Sequence, residues 1–221
     1  LLAYHDRSDG GVFAALCEAL LAAGLNPLPL ALLSLKDSVC ADTLQRLCDA
    51  HDAALILNTT AFSRAALDEP GDHALAGDRP VLQLVLSGAN EESWRADAHG
   101  LAARDIAMHI ALPEVDGRII TRAVSFKGLE RRSELTQSEL VQYQPQHDRI
   151  AFVVELAQRW CRLRQLPAAD KRLALVLANY PTREGRLGNG VGLDTPASVV
   201  GILDAPASHG YRVDDAPADG D

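Results

Sequence analysis

Strand-like and helix-like segments alternate along this chain, and that rhythm predicts an α/β fold built as two Rossmann-like or flavodoxin-like units with mostly parallel sheets. Three observations carry the expectation. Short apolar runs of strand length recur between stretches of helical period in residues 1–86. A strongly polar stretch, residues 126–148, then interrupts the pattern. Beyond it the order helix, apolar run, glycine-rich loop, helix returns. The expected organisation is a first α/β unit at residues 1–125 with irregular insertions, a polar linker at 126–147 that bridges the pair, and a second α/β unit at 148–221, incomplete at its C-terminal end.

Taken in order, residues 1–5 read as a short strand. Asp9 with Gly10 and Gly11 leads into a helix whose apolar face is Phe13, Leu16, Cys17, Leu20 and Leu21, closed by Gly24. Residues 26–35 return as a strand, with Pro27 and Pro29 confining it to its beginning or to an edge. A second helix at 41–51 runs through Leu44, Leu47 and Cys48, and strands follow at 53–57 and 80–86. Residues 64–79, rich in Asp, Gly and Pro, read as a loop. In such sheets the functional groups sit at the carboxyl ends of strands, which singles out residues 34–37, 58–63 and 87–90. Each of these also reads as an ordinary turn or helix cap. In the second unit Ile150, Val153, Val154, Ala157 and Cys161 mark one face of a helix at 148–166. A strand at 173–178, a helix at 197–208 and a strand at 211–213 complete it.

Composition bounds the function. The chain has 221 residues, 48% of them hydrophobic and 23% charged, enough for one sizeable core or two smaller ones. A net charge of −9 argues against nucleic acid or an anionic membrane as partner, with the arginines at 183 and 186 the one local exception. No apolar stretch reaches the roughly 20 residues of a membrane-spanning helix, and no leader pattern is readable, so a cytoplasmic location is expected. Cys17, Cys40, Cys48 and Cys161 lack CxxC spacing and the seven histidines lack HxxxH spacing, so no metal site is expected and the thiols read as reduced. The chain opens on Leu1 and its single methionine is Met108, which reads as a segment of something longer.

Two stretches carry candidate chemistry. Residues 173–200 run from an apolar strand pattern, through Gly185, Gly188, Gly190 and Gly192 interleaved with Arg183, Arg186 and Asn189, to Asp194-Thr195-Pro196, an N-cap with proline in the first turn of a helix. A loop of this kind, with backbone freedom and arginine forks, is suited to contacting an anionic ligand, and equally to packing against another part of a larger protein. Residues 111–127 form the second stretch. Asp116-Gly117 is a turn signal ahead of a β-branched run, and Glu114 and Asp116 could act as acid, base or cation contacts, with Arg118 or Arg122 as partners. The same residues also read as a solvated turn with surface ion pairs.

The ordered strings NYPTREGRLGNGVGLDTPAS, LPEVDGRIITRAVSFK and GLNPLPLALLSLKD resemble the large-subunit family of aerobic cobaltochelatases and magnesium chelatases, from about Ala19 to the end of the chain. The resemblance implies a fragment of the tetrapyrrole-binding subunit of an enzyme that inserts Co²⁺ into the corrin ring of hydrogenobyrinic acid a,c-diamide during cobalamin biosynthesis. It implies Co²⁺ and the corrin as substrates, ATP-Mg hydrolysed at AAA+ partner subunits, no tightly bound cofactor in this segment, and contacts with the remainder of the large subunit. The corrin is edged by carboxylates, so Arg183, Arg186, Asn189 and Gly190 are the expected substrate contacts. The fragment alone is expected to be inactive.

Residues 1–18 depart from that pattern and are similar to a signature of phosphoribosylformylglycinamidine synthase, either by fusion or by convergence of a strand-turn-helix. Three alternatives stand beside the cobalt reading: a magnesium-chelatase-type subunit acting on protoporphyrin IX, a non-catalytic scaffold segment, and a nucleotide-binding α/β domain. For the last, Gly188, Gly190 and Gly192 give G-x-G-x-G rather than G-x-G-x-x-G, and no Lys-Ser or Lys-Thr follows them, which excludes a Walker A loop.

Overall fold

The computed structural model of the protein describes residues 10–64, 75, 77–132, 134, 137, 139–177, 188 and 192–219. Two compact units emerge, Leu1–Cys161 and Arg162–Asp221.

The first unit is built on a four-stranded sheet. Its strands, β1 (Ile56–Asn58), β2 (Val81–Leu86), β3 (Ile119–Arg132) and β4 (Glu139–Pro145), lie in sequential order across the sheet. The pairings of β1 with β2 and of β2 with β3 are parallel, and β3 with β4 is antiparallel. The mostly parallel α/β class expected from the alternation is therefore found. β2 is buried along its whole length, as a central parallel strand covered on both faces must be.

Strand geometry sends alternate β2 side chains to opposite faces. Leu82, Leu84 and Leu86 join a core with Leu57 and Val124, with Val12, Phe13, Leu16 and Leu20 of α1 (Gly10–Ala22), and with Ile150, Val153, Val154 and Ala157 of α6 (His147–Gln165). The α6 set recurs at the spacing of one helical face, as its sequence period requires. On the other face Val81 packs with Leu44 and Cys48 of α2 (Ser38–Ala50), while Val85, Ala123 and Phe126 pack with Trp94 of α3 (Glu91–Ala96), Leu101 and Ile110. Short helical turns complete this face: α4 (Ala103–Ile106), a π turn at Ala107–Ala111 and α5 (Leu112–Val115).

Local sequence explains the helix starts. Asp37 caps α2 by accepting from the Cys40 N–H at 2.8 Å, and Asn90 caps α3 by accepting from the Ser93 N–H at 2.7 Å. Gly24, just beyond α1, takes φ +77, the left-handed conformation that ends helices.

Several expected elements are placed differently. The stretch read as a polar linker is largely strand: it supplies the second half of β3 and all of β4. Its polarity reflects position, because beyond Phe126 the hairpin leaves the core, and Lys127, Leu129 and Val141 are exposed. Glycine at position 128 lets the Gln144 side chain lie across the strand, since a Cβ would come within 2.5 Å of it. Residues 26–35 are not a strand; Leu30 and Leu32 pack against the α2 core and Leu35 is buried, but two prolines and the exposed Leu33 interrupt any ladder.

The second unit holds a 3₁₀ turn at Ala168–Asp170 and α7 (Thr195–Ser208), and its described residues include no paired strand of the kind expected at 173–178 and 211–213. Leu173, Leu175, Val176 and Leu177 are exposed, so their apolar run reflects no burial within the described residues. α7 starts as its sequence indicates, with Asp194 accepting from the Ala197 N–H at 3.0 Å and proline in the first turn. The Thr195 hydroxyl donates to the Gly188 carbonyl. Gly188 takes φ +62, and a Cβ there would meet Thr195 at 2.8 Å, so glycine is needed at that point of the loop. Residues 1–5 lie outside the described residues. Among the described residues no helix is long and apolar enough to cross a membrane.

Candidate functional site

At the carboxyl ends of β1 and β2 the first unit opens into a cavity of about 780 Å³. This is where a parallel α/β sheet gathers ligand-binding groups, because the loops leaving parallel strands all emerge on that side. Two of the three strand-end segments singled out by sequence line it, residues 34–36 and 59–63. The third, residues 87–90, acts in turns and caps: the Ser87 hydroxyl and the Gly88 N–H donate to Asp105 at 2.6 and 3.0 Å, which fixes α4 against the end of β2. α4 and the π turn after it then bring Arg104, Met108 and His109 to the cavity wall.

Behind the lining residues Thr59, Thr60 and Arg118 lies a buried polar island within the apolar face of the sheet. Asn58 and Gln83, side by side on β1 and β2, are both fully buried, and the Asn58 amide donates to the Gln83 side-chain oxygen at 2.7 Å. Arg118 donates to the same oxygen at 3.1 Å, Gln83 donates to the Thr60 carbonyl at 3.0 Å, and the Thr121 hydroxyl donates to the Gln83 backbone carbonyl at 2.6 Å. The network holds the 59–64 loop by its backbone.

Asp116 closes the network. Its carboxylate accepts from Arg118 Nη2 at 2.6 Å, from the Ser63 hydroxyl at 2.5 Å and from the Arg64 N–H at 2.7 Å, with both charged side chains only 1% accessible. Burial pushes the Arg118 guanidinium down from its ordinary value, and the Asp116 charge opposes that shift. The pair is an internal clamp that ties the loop after β1 to the turn before β3. Asp116, named from sequence as an acid, base or cation contact, has its carboxylate taken up in this clamp with Arg118, one of its two named partners. Arg122, the other, stacks on Phe152 with its guanidinium 3.6 Å from the ring centre. Glu114 stands exposed on α5. Arg183, Arg186, Asn189 and Gly190 lie outside the described residues.

The cavity lining itself combines apolar and cationic groups. Leu33, Phe62 and Val141 line the cavity while remaining exposed to solvent. Phe62 takes φ +67, costly for an aromatic residue, with its N–H donating to the Met108 carbonyl at 2.9 Å. Lys36, Arg64, Arg104 and Lys127 also line it, and no Asp or Glu is among the described lining residues. His109 is held below its ordinary value mainly by burial, with Arg104 adding to the shift and Asp105 opposing it, so the imidazole is neutral at physiological pH. Three buried polar atoms of lining residues lack a partner: Thr59 Oγ1, His109 Nδ1 and Arg118 Nε. An enclosure of this kind favours an anion with an apolar body. Among the described residues no group of three or more His, Cys, Asp or Glu is placed to hold a metal ion.

Sequence reasoning reached the loops of this site and missed most of its cations. Lys36 falls in a strand-end segment, but Arg104 and Lys127 meet it only because parallel pairing brings β2 and β3 together, a relation that no local spacing encodes.

The fold is a mostly parallel α/β sheet with a ligand-sized cavity at its strand ends, and comparison with known proteins gives its family. The family model described as CobN/Magnesium Chelatase matches residues 2–221, so residues 2–18, which the sequence reading set apart from the chelatase pattern, fall within the same match, and the chain belongs to that family. It is 53% identical over 215 residues to the aerobic cobaltochelatase subunit CobN of Pseudomonas aeruginosa, covering 97% of this chain and 17% of that protein. The CobN subunit of a Sinorhizobium species is 44% identical over 209 residues, covering 94% of this chain and 16% of the relative. In structure the chain is similar to the catalytic subunit of cobaltochelatase from Mycobacterium tuberculosis, with a TM-score of 0.77 and 35% identity over 96% of this chain and 18% of that one. The chain thus spans about a sixth of the length of these relatives. Magnesium-chelatase H subunits are more distant relatives.

Proposed function

We propose that the chain is a segment of a cobaltochelatase large subunit, and that the intact enzyme inserts Co²⁺ into hydrogenobyrinic acid a,c-diamide with ATP hydrolysed by AAA+ partner subunits. The observation that carries this reading is the match to cobaltochelatase subunits along almost the whole chain, at identities well above those of the magnesium-chelatase relatives. Co²⁺ and the corrin are substrates here, and ATP-Mg belongs to the partners. The enzyme works in the cytoplasm on this reading, in keeping with the absence of disulfides among Cys17, Cys40, Cys48 and Cys161.

The glycine loop is assigned to substrate. Arg183 and Arg186 present planar donor forks to the corrin carboxylates, with Asn189 and the Gly190 backbone completing a polar rim, and Glu114 is the exposed carboxylate free to meet a cation. Removing either arginine from its carboxylate should cost about 1.5–3 kcal/mol, roughly tenfold or more in affinity. Corrinoid titration of the intact subunit carrying Arg183→Ala or Arg186→Ala tests this, with folding checked by circular dichroism. Weakened binding in either supports the assignment; wild-type affinity in both, with the fold intact, moves the loop from substrate contact to assembly. Loss of aerobic corrin metallation on deletion of the gene tests the wider reading.

A further inference from the structure

We propose that the cavity of the Leu1–Cys161 unit binds an apolar body edged with carboxylates, and that Lys36, Arg104 and Lys127 take those carboxylates. The assignment rests on the chelatase reading for its natural occupant, the carboxylate-edged tetrapyrrole.

The charge distribution is the first support. The chain carries a net charge of −9, yet the described lining of this cavity includes four Lys or Arg side chains besides the buried Arg118 and no carboxylate. Such a composition runs against the whole and creates a local positive potential focused by the concave wall. The three rim cations come from separate elements: Lys36 from the segment before α2, Arg104 from α4 and Lys127 from β3. All three are exposed, and no described carboxylate lies within ion-pairing distance of any of them. Lys127 instead sits 5.3 Å from the Tyr143 ring centre, which holds its ammonium at the cavity edge without neutralising it.

The apolar groups are the second support. Leu33 is fully exposed, Phe62 is 52% exposed and Val141 is 51% exposed, and all three border the same opening. Phe62 is also held in a left-handed conformation that a bulky side chain rarely adopts, in a loop anchored beneath by the Asp116–Arg118 pair. A loop fixed this firmly while presenting an aromatic ring to solvent is preorganised for a flat apolar partner. Arg118 and Thr59, both buried residues of the cavity lining, each keep a polar atom without a partner, which marks this part of the wall as polar rather than as ordinary core.

The test uses the intact subunit with Lys36→Gln, Arg104→Gln and Lys127→Gln combined, three exposed positions whose substitution leaves the core untouched. Hydrogenobyrinic acid a,c-diamide and its fully amidated, uncharged analogue are the probes, titrated by quenching of intrinsic fluorescence at low and physiological salt. Wild-type protein should prefer the acid, and the triple variant should bind it about 100-fold or more weakly, with the preference and the salt dependence reduced together. Binding of the acid by the triple variant within about twofold of wild type overturns the site. So does a loss confined to association with the ATPase subunits, since the rim would then serve an acidic protein surface. Cobalt insertion measured in parallel separates the two claims. A wild-type subunit that discriminates between the probes but never metallates the corrin keeps the site and removes the chelatase reading. Metallation by the triple variant at unchanged KM does the reverse.

Discussion

His109 carries a readable signature of the cavity wall. Its ring is largely buried, Nδ1 has no partner, and burial holds its titration below the ordinary value of 6.5. A group whose folded value is depressed binds fewer protons folded than unfolded in the window just below that ordinary value, so stability rises with pH there. The contribution is complete above about pH 6.5 and is lost as pH falls from there through the folded value. In His109→Gln the unfolding free energy should therefore change less between about pH 7 and pH 5 than in wild type, about one proton's worth of slope being removed. Urea titrations across that range measure it; identical pH slopes would mean that the ring is not desolvated. No local pattern marks this residue, because nothing in its neighbours' spacing says that α4 and the π turn close over a strand end. Asp116 is visible as a turn residue, but its clamp joins it to Ser63 and the Arg64 backbone, 53 and 52 positions away.

That clamp works between elements. The loop leaving β1 and the turn entering β3 share no backbone ladder, so the Asp116–Arg118 pair and the Asn58–Gln83–Thr60 network register them. Removing one member of a buried pair leaves an uncompensated charge, whereas replacing both with apolar groups is far milder. Asp116→Ala should destabilise the 221-residue chain by about 3–5 kcal/mol, and Asp116→Leu with Arg118→Met should recover most of that loss while leaving the 59–64 loop less ordered. Equilibrium denaturation of the two variants checks the first statement, and a single and a double variant of equal stability would contradict it. At this scale the helices are readable because their period, caps and closing glycine are local: α1, α2, α6 and α7 lie close to where their sequences place them. The misread pieces are those whose state depends on a neighbour. Residues 126–145 look like a linker only until β3 and β4 pair, and residues 173–177 look like a strand although the described chain offers them no ladder.

At the scale of the whole molecule, the α/β class and the family are both readable in residues, the first from alternation and the second from three ordered motifs. The division into units is less so, because the boundary at Cys161 falls inside the continuous helix α6, where neither composition nor glycine and proline punctuate the chain. The cavity at the open end of the first unit's sheet has a described lining that is cationic and includes no carboxylate, which suits the carboxylate-edged macrocycle proposed above. Most of the length of its relatives lies outside this chain, so metallation is a property to be measured on the intact subunit with its partners. The direct measurement supplies that assembly with hydrogenobyrinic acid a,c-diamide or protoporphyrin IX, with Co²⁺ or Mg²⁺, and with or without ATP, and follows the ring's absorption spectrum. ATP-dependent cobalt insertion into the corrin, with the porphyrin and Mg²⁺ left unreacted, is the expected result; magnesium insertion into the porphyrin with no corrin metallation would contradict it.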